Sequence, residues 1–288
     1  MGLSAIEQIK EIRSSYSRDG FAVIRDFYDL RRDIDPIREG IRDIVHRLAK
    51  KYGVEADTTD PIAAMTKGYQ SLIAASRNFG SEVYDAIKQI PAFVQLVSSP
   101  RNIELYKEVD TRAVPGIAAG GYGIRIDNPG EEKFRAQWHQ EFPAQLRSSD
   151  GMVFWSPMLD ISPNMGPVQV LPGSQREGLL DVHDNAGGVE KAGAYALHLD
   201  RESEILSRYT AEAPLLRAGD LLIMHFMTVH QSGFNVSDCP RWSMQFRYFN
   251  FADPVGLSFS WKGSFAAGVD FKQVLTETRK TAKPIQIQ

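Results

Sequence analysis

The sequence changes its pattern of apolar residues near residue 103, and this change most constrains the fold. Before that point, apolar residues recur at intervals of three and four, as they do on one face of an α-helix. After it, short apolar runs are separated by Gly, Pro, Asn and Asp, which are typical of turns between strands. We therefore expect a helical N-terminal part followed by a β core.

The first part predicts helices over residues 4–18 and Leu30–Lys51, and two or three more between Pro61 and Ser99. A short apolar run, Phe21–Ile24, predicts one strand there. The second part predicts the strands Tyr122–Ile126, Met152–Leu159, Val168–Leu171, Ala213–Leu216, Leu221–Phe226 and Trp242–Phe251. Helices followed by short strands indicate an α+β fold, in which helices pack outside an antiparallel sandwich, jelly roll or barrel.

One domain over residues 1–288 accounts for this pattern. Residues 1–102 are its mostly helical part, with the strand near 21–24, 103–255 its β core, and 256–288 a C-terminal tail. Residues 181–210 are read as an insertion in the core, with a short helix at Glu202–Arg208. The insertion is a candidate lid, because Gly187, Gly188 and Gly193 could serve as hinges.

Composition excludes several classes of protein. The net charge of -3 among 288 residues gives no electrostatic reason to expect a nucleic-acid or anionic-membrane partner. There is no apolar run of 18 residues and no signal peptide at the start, so a cytoplasmic protein without a membrane span is expected. The single cysteine, Cys239, excludes an internal disulfide and a multi-cysteine metal site.

A metal site would therefore need histidines and carboxylates. The six histidines are His46, His139, His183, His198, His225 and His230. On a strand, His139 and Glu141 would face the same side, because residues two apart share a face. With His230 they form the two-histidine, one-carboxylate set that binds non-haem Fe(II) and leaves three coordination positions open. One alternative is that His139 is a structural histidine. Another is that His225 takes the place of His230, because the two have opposite strand parity and only one of them can face the interior of the barrel.

An arginine follows His230 after 11 residues, at Arg241. A guanidinium binds a carboxylate through two parallel hydrogen bonds. A 2-oxo acid that chelates iron through its keto oxygen and C1 carboxylate needs such a cation for its distal carboxylate. The hydroxyl of Ser232 could donate a further hydrogen bond to that group.

Two stretches of the sequence resemble the phytanoyl-CoA dioxygenase family. They are residues 138–178, WHQEFPAQLRSSDGMVFWSPMLDISPNMGPVQVLPGSQREG, and residues 219–248, GDLLIMHFMTVHQSGFNVSDCPRWSMQFRY. The opening DGFAVIRDF, residues 19–27, is similar to the first strand of that family. The resemblance implies a double-stranded β-helix, which is a cupin-like jelly roll, and oxidation that depends on Fe(II) and 2-oxoglutarate.

The resemblance also implies roles for individual residues. His139, Glu141 and His230 match the iron ligands, and His230 is favoured over His225 because Arg241 follows it at the family spacing. Arg241 matches the arginine that binds 2-oxoglutarate, with Ser232 beside it and Trp155 lining the same pocket. The family usually has Asp where this chain has Glu141. A carboxylate there argues against a halogenase, because relatives that bind chloride have a small residue at this position.

Four residues are candidate substrate contacts: Tyr122, Arg125, Gln137 and Arg247. Gln137 shares the strand parity of His139, and Arg247 shares that of Arg241. Tyr122 and Arg125 have opposite parity, so only one of them should face the interior of the barrel.

The expected activity is hydroxylation of an unactivated C–H bond of a small metabolite, with O2 and 2-oxoglutarate consumed and succinate and CO2 released. Arg125, Arg135 and Arg247 near the mouth of the site favour an anionic substrate. Two alternatives remain: a cupin-like metalloenzyme that does not use 2-oxoglutarate, and a non-catalytic jelly-roll binding protein.

Overall fold

A computed structural model describes residues 5–184, 197–263, 276 and 278–280. The N-terminal helices are α1 (Ala5–Asp19), α2 (Asp35–Tyr52), α3 (Pro61–Ala63), α4 (Tyr69–Ala75), α5 (Arg77–Ile87), α6 (Pro91–Val97) and α7 (Pro100–Val109). The segments Leu30–Ile34 and Ala64–Gly68 are π-helical and lead into α2 and α4. The helical part extends to Val109, beyond the predicted boundary near residue 103, because Pro100 starts a further helix.

The strands follow the helices, except for the first. They are β1 (Phe21–Ile24), β2 (Pro115–Ile117), β3 (Gly123–Asp127), β4 (Gly151–Pro157), β5 (Val168–Val170), β6 (Val182–Asp184), β7 (Leu197–Leu199), β8 (Leu221–His225), β9 (His230–Ser232) and β10 (Arg241–Asn250). Three short helices, α8 (Glu141–Gln145), α9 (Glu202–Arg208) and α10 (Pro254–Ser258), lie between or after them. The structure confirms the α+β class, with helices first and strands later.

The main sheet is antiparallel and has the order β1-β8-β4-β10-β2, with β3 also paired to β10. The strand β10 pairs with β4 along one edge, and with β3 and then β2 along the other. A smaller sheet pairs β5 with β9, and an isolated bridge joins His139 to His230 at the end of β9. This bridge brings the segment before α8 next to β9.

The two faces of β10 have different surroundings. Trp242, Met244, Phe246 and Tyr248 belong to the core between the sheet and the N-terminal helices. Residues of the other parity, among them Gln245 and Arg247, face a cavity on the opposite side of the sheet. The strand therefore separates the helix-packed core from the candidate site.

Helix α2 shows how the helical part attaches to the sheet. Ile37, Ile41 and Val45, spaced by four, are fully buried in the same apolar cluster as Phe154 of β4. Burial of an aliphatic side chain of this size contributes about 1.5–3 kcal/mol. The side chain of Trp242 adds a polar contact, since its Nε1 donates to the Met65 carbonyl at 2.7 Å.

Some predicted elements differ from the structure. Residues Ala213–Leu216 do not form a strand, because the chain there makes only a single bridge, between Glu212 and Val170. The strands β2, β6, β7 and β9, each three residues long, are not predicted. The strand β5 is equally short, but it lies within the apolar run Val168–Leu171. The predicted helix at Glu202–Arg208 is present as α9. Gly187, Gly188 and Gly193, the proposed hinges, lie outside the described residues.

Within the residues that the structure describes, no helix is both long and apolar enough to cross a membrane.

Candidate metal centre

His139 and His230 lie side by side because their backbones form an antiparallel bridge. Each donates its N–H to the carbonyl of the other at 3.0 Å. Their rings are 4.3 Å apart between centroids, and the two residues are only 7% and 6% exposed. Two buried imidazoles, 91 positions apart in the sequence, thus meet at one point.

Glu141 reaches the same point from a helix, which corrects the prediction that it lies on a strand with His139. It is the first residue of α8, and its backbone N–H donates to Phe226 O at 2.9 Å. Pro143 follows two residues later and lacks the N–H that a continued ladder needs, so the chain turns into a helix here. The Glu141 Oε2 is 3.9 Å from the Nε2 atoms of both His139 and His230.

The hydrogen bonds of the two histidines leave both Nε2 atoms free to act as ligands. The Nδ1 of His139 bonds Gln137 O at 2.7 Å, and the Nδ1 of His230 bonds Thr228 O at 2.9 Å. Because a carbonyl can only accept, Nδ1 carries the proton in each ring and Nε2 carries the lone pair. Burial, assisted by the neighbouring His230, lowers the pKa of His139 to about 3, and burial lowers the pKa of His230. Both imidazoles are neutral at physiological pH.

The Glu141 carboxyl is ionised. Although burial opposes ionisation, Arg247 and the two histidines lower its pKa to about 2. The potential ligand atoms of His139, Glu141 and His230 all lie within 4.8 Å of one another. Two neutral imidazoles and one carboxylate at this spacing fit a divalent non-haem metal such as Fe(II).

A cavity of about 290 Å³ opens onto these three residues. The predicted residues Trp155, Ser232, Tyr122, Arg125 and Arg247 all line it. Both Tyr122 and Arg125 do so, against the parity argument, because Tyr122 precedes β3 and is outside its alternation. Several further lining residues were not predicted: Tyr84, Lys88, Gln145, Gln231 and Gln245. Gln245 could have been identified, since it shares the parity of Arg247 on β10.

Gln137 is not among the described residues that line the cavity. Its side-chain amide bonds Glu132 and Arg135, both at 2.9 Å, so the side chain points away from the metal ligands. The residue contributes its backbone carbonyl instead, as the acceptor that orients His139. The prediction that Gln137 and His139 face the same side is wrong, because the chain before His139 is not a regular strand.

Arg241 is fully buried at the start of β10 and faces the same side of that strand as Gln245 and Arg247. It is not one of the described cavity-lining residues. Its Nη2 donates to Asp127 Oδ2 at 2.8 Å. Its Nε and Nη1, and the nearby Ser243 Oγ, have no hydrogen-bond partner among the described residues. Buried donors without acceptors are rare in proteins, and a bound carboxylate could accept from one of them.

Asp127 connects two of the arginines. It accepts from Arg125 Nε at 2.8 Å and from Arg241 Nη2 at 2.8 Å. Although burial opposes ionisation, these two guanidinium groups lower the pKa of Asp127 to about 2. Arg125 also donates to Phe134 O at 2.7 Å, so its guanidinium is engaged within the protein.

The remaining histidines lie away from the triad. His225, at the end of β8, accepts from Met227 N through Nδ1 at 3.0 Å, and its ring is 6.0 Å from that of Tyr16. His183 pairs with Asp200 at 2.5 Å and faces His198 across the β6–β7 ladder. His46 bonds Thr58 at 3.1 Å on the surface.

A family model described as phytanoyl-CoA dioxygenase (PhyH) matches residues 16–243. Solved structures are similar over most of the chain. The epimerase SnoN, in complex with Fe3+, alpha ketoglutarate and nogalamycin RO, is 18% identical, with 92% of this chain and 93% of that chain covered and a TM-score of 0.55. The carbocyclase SnoK from nogalamycin biosynthesis is 16% identical, with 87% and 88% covered and a TM-score of 0.54.

EctD from S. alaskensis, with 2-oxoglutarate and 5-hydroxyectoine, is also similar. It is 16% identical, with 86% of this chain and 76% of that chain covered and a TM-score of 0.54. A comparison with curated proteins finds no match. The structural similarity confirms the predicted cupin-like, double-stranded β-helix fold.

Proposed function

The chain belongs to the phytanoyl-CoA dioxygenase family, and from that membership we propose that it is a hydroxylase dependent on Fe(II) and 2-oxoglutarate. It would oxidise an unactivated C–H bond of a small metabolite and release succinate and CO2. The observation that carries the proposal is the buried cluster of His139, Glu141 and His230, whose ligand atoms converge within 4.8 Å. One apolar cluster joins the N-terminal helices to β4, β8 and β10, which supports a single domain over residues 1–288.

The three ligands would hold Fe(II) through two Nε2 atoms and Glu141 Oε2. Bound iron would supply the activation of dioxygen, driven by the conversion of 2-oxoglutarate to succinate and CO2. The protein keeps both imidazoles neutral through burial and through their hydrogen bonds to the carbonyls of Gln137 and Thr228. Metal binding at neutral pH would therefore need no proton release from these two residues.

Arg241 would bind the distal carboxylate of 2-oxoglutarate. Its Nε and Nη1 have no partner among the described residues and lie on different edges of the guanidinium, so one of them would donate to this carboxylate, and Ser243 Oγ on the same strand face is a further donor. Asp127 holds the remaining nitrogen, Nη2, and so fixes the guanidinium plane. Ser232 and Trp155, which line the cavity, would contact the co-substrate between this anchor and the metal.

The substrate would be small, because co-substrate and substrate share a cavity of about 290 Å³. Its walls combine apolar side chains, among them Val153 and Met224, with the amides of Gln145 and Gln245 and the phenol of Tyr122. The arginines expected to attract an anion are paired with carboxylates: Arg125 with Asp127, Arg135 with Glu132, and Arg247 with Glu141. Lys88, which also lines the cavity, pairs with Asp85 in the same way, so these described cations give no strong preference for an anionic substrate.

A second candidate outcome of the reaction is a change in the substrate without hydroxylation, such as epimerisation or ring closure. Two of the similar structures are an epimerase and a carbocyclase, so the same fold serves reactions other than hydroxylation. Mass spectrometry of the product distinguishes them, since hydroxylation adds one oxygen atom and epimerisation adds none.

The test is anaerobic addition of Fe(II) and then 2-oxoglutarate to the metal-free protein. A weak visible charge-transfer band is expected, and it should be lost in the His139→Ala variant. Protein that binds Fe(II) without forming the band would be a cupin-like metalloenzyme that does not use 2-oxoglutarate. Protein that binds no metal would be a non-catalytic jelly roll. A screen of metabolite pools for succinate release would then identify the substrate.

A further inference from the structure

We propose that Arg247 is a positioning residue that makes Glu141 a monodentate metal ligand. The inference rests on the proposed function, because it takes Glu141 as a ligand of the metal. It concerns the contact between a residue of β10 and a residue of α8 that are 106 positions apart in the sequence.

The two oxygens of Glu141 have different partners. Oε1 accepts from Arg247 Nε at 3.0 Å. Oε2 is equidistant, at 3.9 Å, from His139 Nε2 and His230 Nε2. One oxygen is therefore bound to a cation within the protein, and the other points to the space between the two imidazoles.

Arg247 can direct Glu141 because it is itself fixed. Its side chain is only 11% exposed. Nη1 donates to the Gly121 carbonyl at 3.0 Å, and Nη2 donates to Gln245 Oε1 at 3.3 Å. All three nitrogens are thus occupied, and the residue lies in the middle of a strand that is paired along both edges.

A glutamate needs such a partner more than an aspartate does. It has one more methylene and one more rotatable bond, so its carboxylate can turn to place both oxygens on a metal. Bidentate binding would occupy a second position and reduce the three open positions that a chelating co-substrate and dioxygen require. By holding Oε1 at 3.0 Å, Arg247 withholds it from the metal.

The experiment measures Co(II) binding to the metal-free, full-length protein, because Co(II) is stable in air and its visible spectrum reports coordination number. Arg247→Gln should bind Co(II) about 10- to 100-fold more weakly, with an altered visible spectrum, as is typical when a residue that orients a metal ligand is lost. Arg247→Lys, which keeps the charge and one donor, should restore part of the affinity.

Two controls give the result its meaning. Arg77→Gln removes an arginine whose Nε contacts Glu131 Oε1 at 2.9 Å on the surface, and it should bind Co(II) as the wild type does. In a Glu141→Ala background, Arg247→Gln should cause no further loss, because the residue it acts through is gone. Thermal melting of each metal-free variant identifies any that fail to fold.

Wild-type affinity and spectrum in Arg247→Gln would overturn the proposal, and so would an equal further loss in the Glu141→Ala background. Failure of the proposed function would look different. In that case the wild-type protein would bind no Co(II), His139→Ala would leave binding unchanged, or the Fe(II)-loaded protein would form no charge-transfer band with 2-oxoglutarate.

Discussion

Asp127 holds one nitrogen of the Arg241 guanidinium, at 2.8 Å, and leaves the other two without a partner among the described residues. The two residues lie directly opposite each other in the ladder between β3 and β10. A fully buried guanidinium is therefore fixed in orientation and still has two donors, Nε and Nη1, on different edges, either of which could bind a carboxylate. In the proposed function, this arrangement separates anchoring of the co-substrate from binding of the metal.

Replacement of that anchor should affect the two functions differently. In Arg241→Ala, we expect the KM for 2-oxoglutarate to rise about 100-fold, because removal of one partner of a buried, hydrogen-bonded charge pair costs about 2–5 kcal/mol. Co(II) affinity should stay close to the wild-type value. Steady-state kinetics and metal titration check the two parts, and a comparable loss of Co(II) affinity would refute the separation.

Glu141→Asp should weaken metal binding, although aspartate is the usual residue of the family. The backbone of Glu141 is held by Phe226 O at 2.9 Å, so a shorter side chain cannot reach both Arg247 and the metal. We expect Co(II) affinity to fall roughly 10-fold. Isothermal titration of the metal-free protein provides the measurement, and equal or tighter binding would show that the longer side chain is not needed.

The carboxyl pair formed by Asp110 and Asp150 should make the free energy of unfolding depend on pH. Burial and the neighbouring Asp110 raise the pKa of Asp150 to about 7. In the unfolded chain an aspartate has a pKa of about 3.9. Between about pH 4 and pH 7 the folded state therefore binds more protons than the unfolded state, and the free energy of unfolding falls as the pH rises.

Asp150→Asn should reduce the decrease in the free energy of unfolding with rising pH, since the amide does not titrate. Urea denaturation of the wild type and the variant, at intervals from pH 4 to pH 8, measures the difference. Asp43→Asn serves as the control, because the Asp43 side chain is 59% exposed. Parallel curves for Asp150→Asn and the wild type would contradict the assignment.

The sheet should depend strongly on Phe154. This fully buried residue of β4 has its ring 5.1 Å from that of Phe246 and 5.0 Å from that of Tyr248. Phe154→Ala is expected to cost about 3–5 kcal/mol of the free energy of unfolding, because it leaves a cavity in a packed core. Val236→Ala, at a position 66% exposed, should cost less than about 0.5 kcal/mol. Similar losses for both would refute this.

The sequence allowed the cluster of His139, Glu141 and His230 to be proposed because these residues occur in short local motifs. His139 and Glu141 are two residues apart, and Arg241 follows His230 by 11. The prediction that Glu141 lies on a strand was wrong, because Pro143 ends extended pairing and starts α8. The sequence therefore predicted that His139 and Glu141 lie close together, but it did not predict that Glu141 lies on a helix.

Contacts between distant elements could not be predicted. Asp127 meets Arg241 only because β3 and β10 pair in one particular register, and Arg247 meets Glu141 only because α8 follows the His139 bridge. The wall formed by Tyr84 and Lys88 depends on how α5 packs against β3. Register and helix packing are properties of the whole fold, so a single sequence without paired variation does not reveal them.

The alternation of β10 limits how this protein can vary. With Arg241 kept in place, a deletion of one residue between Trp242 and Phe246 would turn Arg247 toward the helices and bring Phe246 to the cavity side. A substitution in β10 alters one side chain on one face of the strand. A change in the length of the strand would instead disrupt both the packed core and the lining of the cavity. Variation that alters selectivity should therefore accumulate in α5 and the loop before β3, where added or lost residues leave that strand in place.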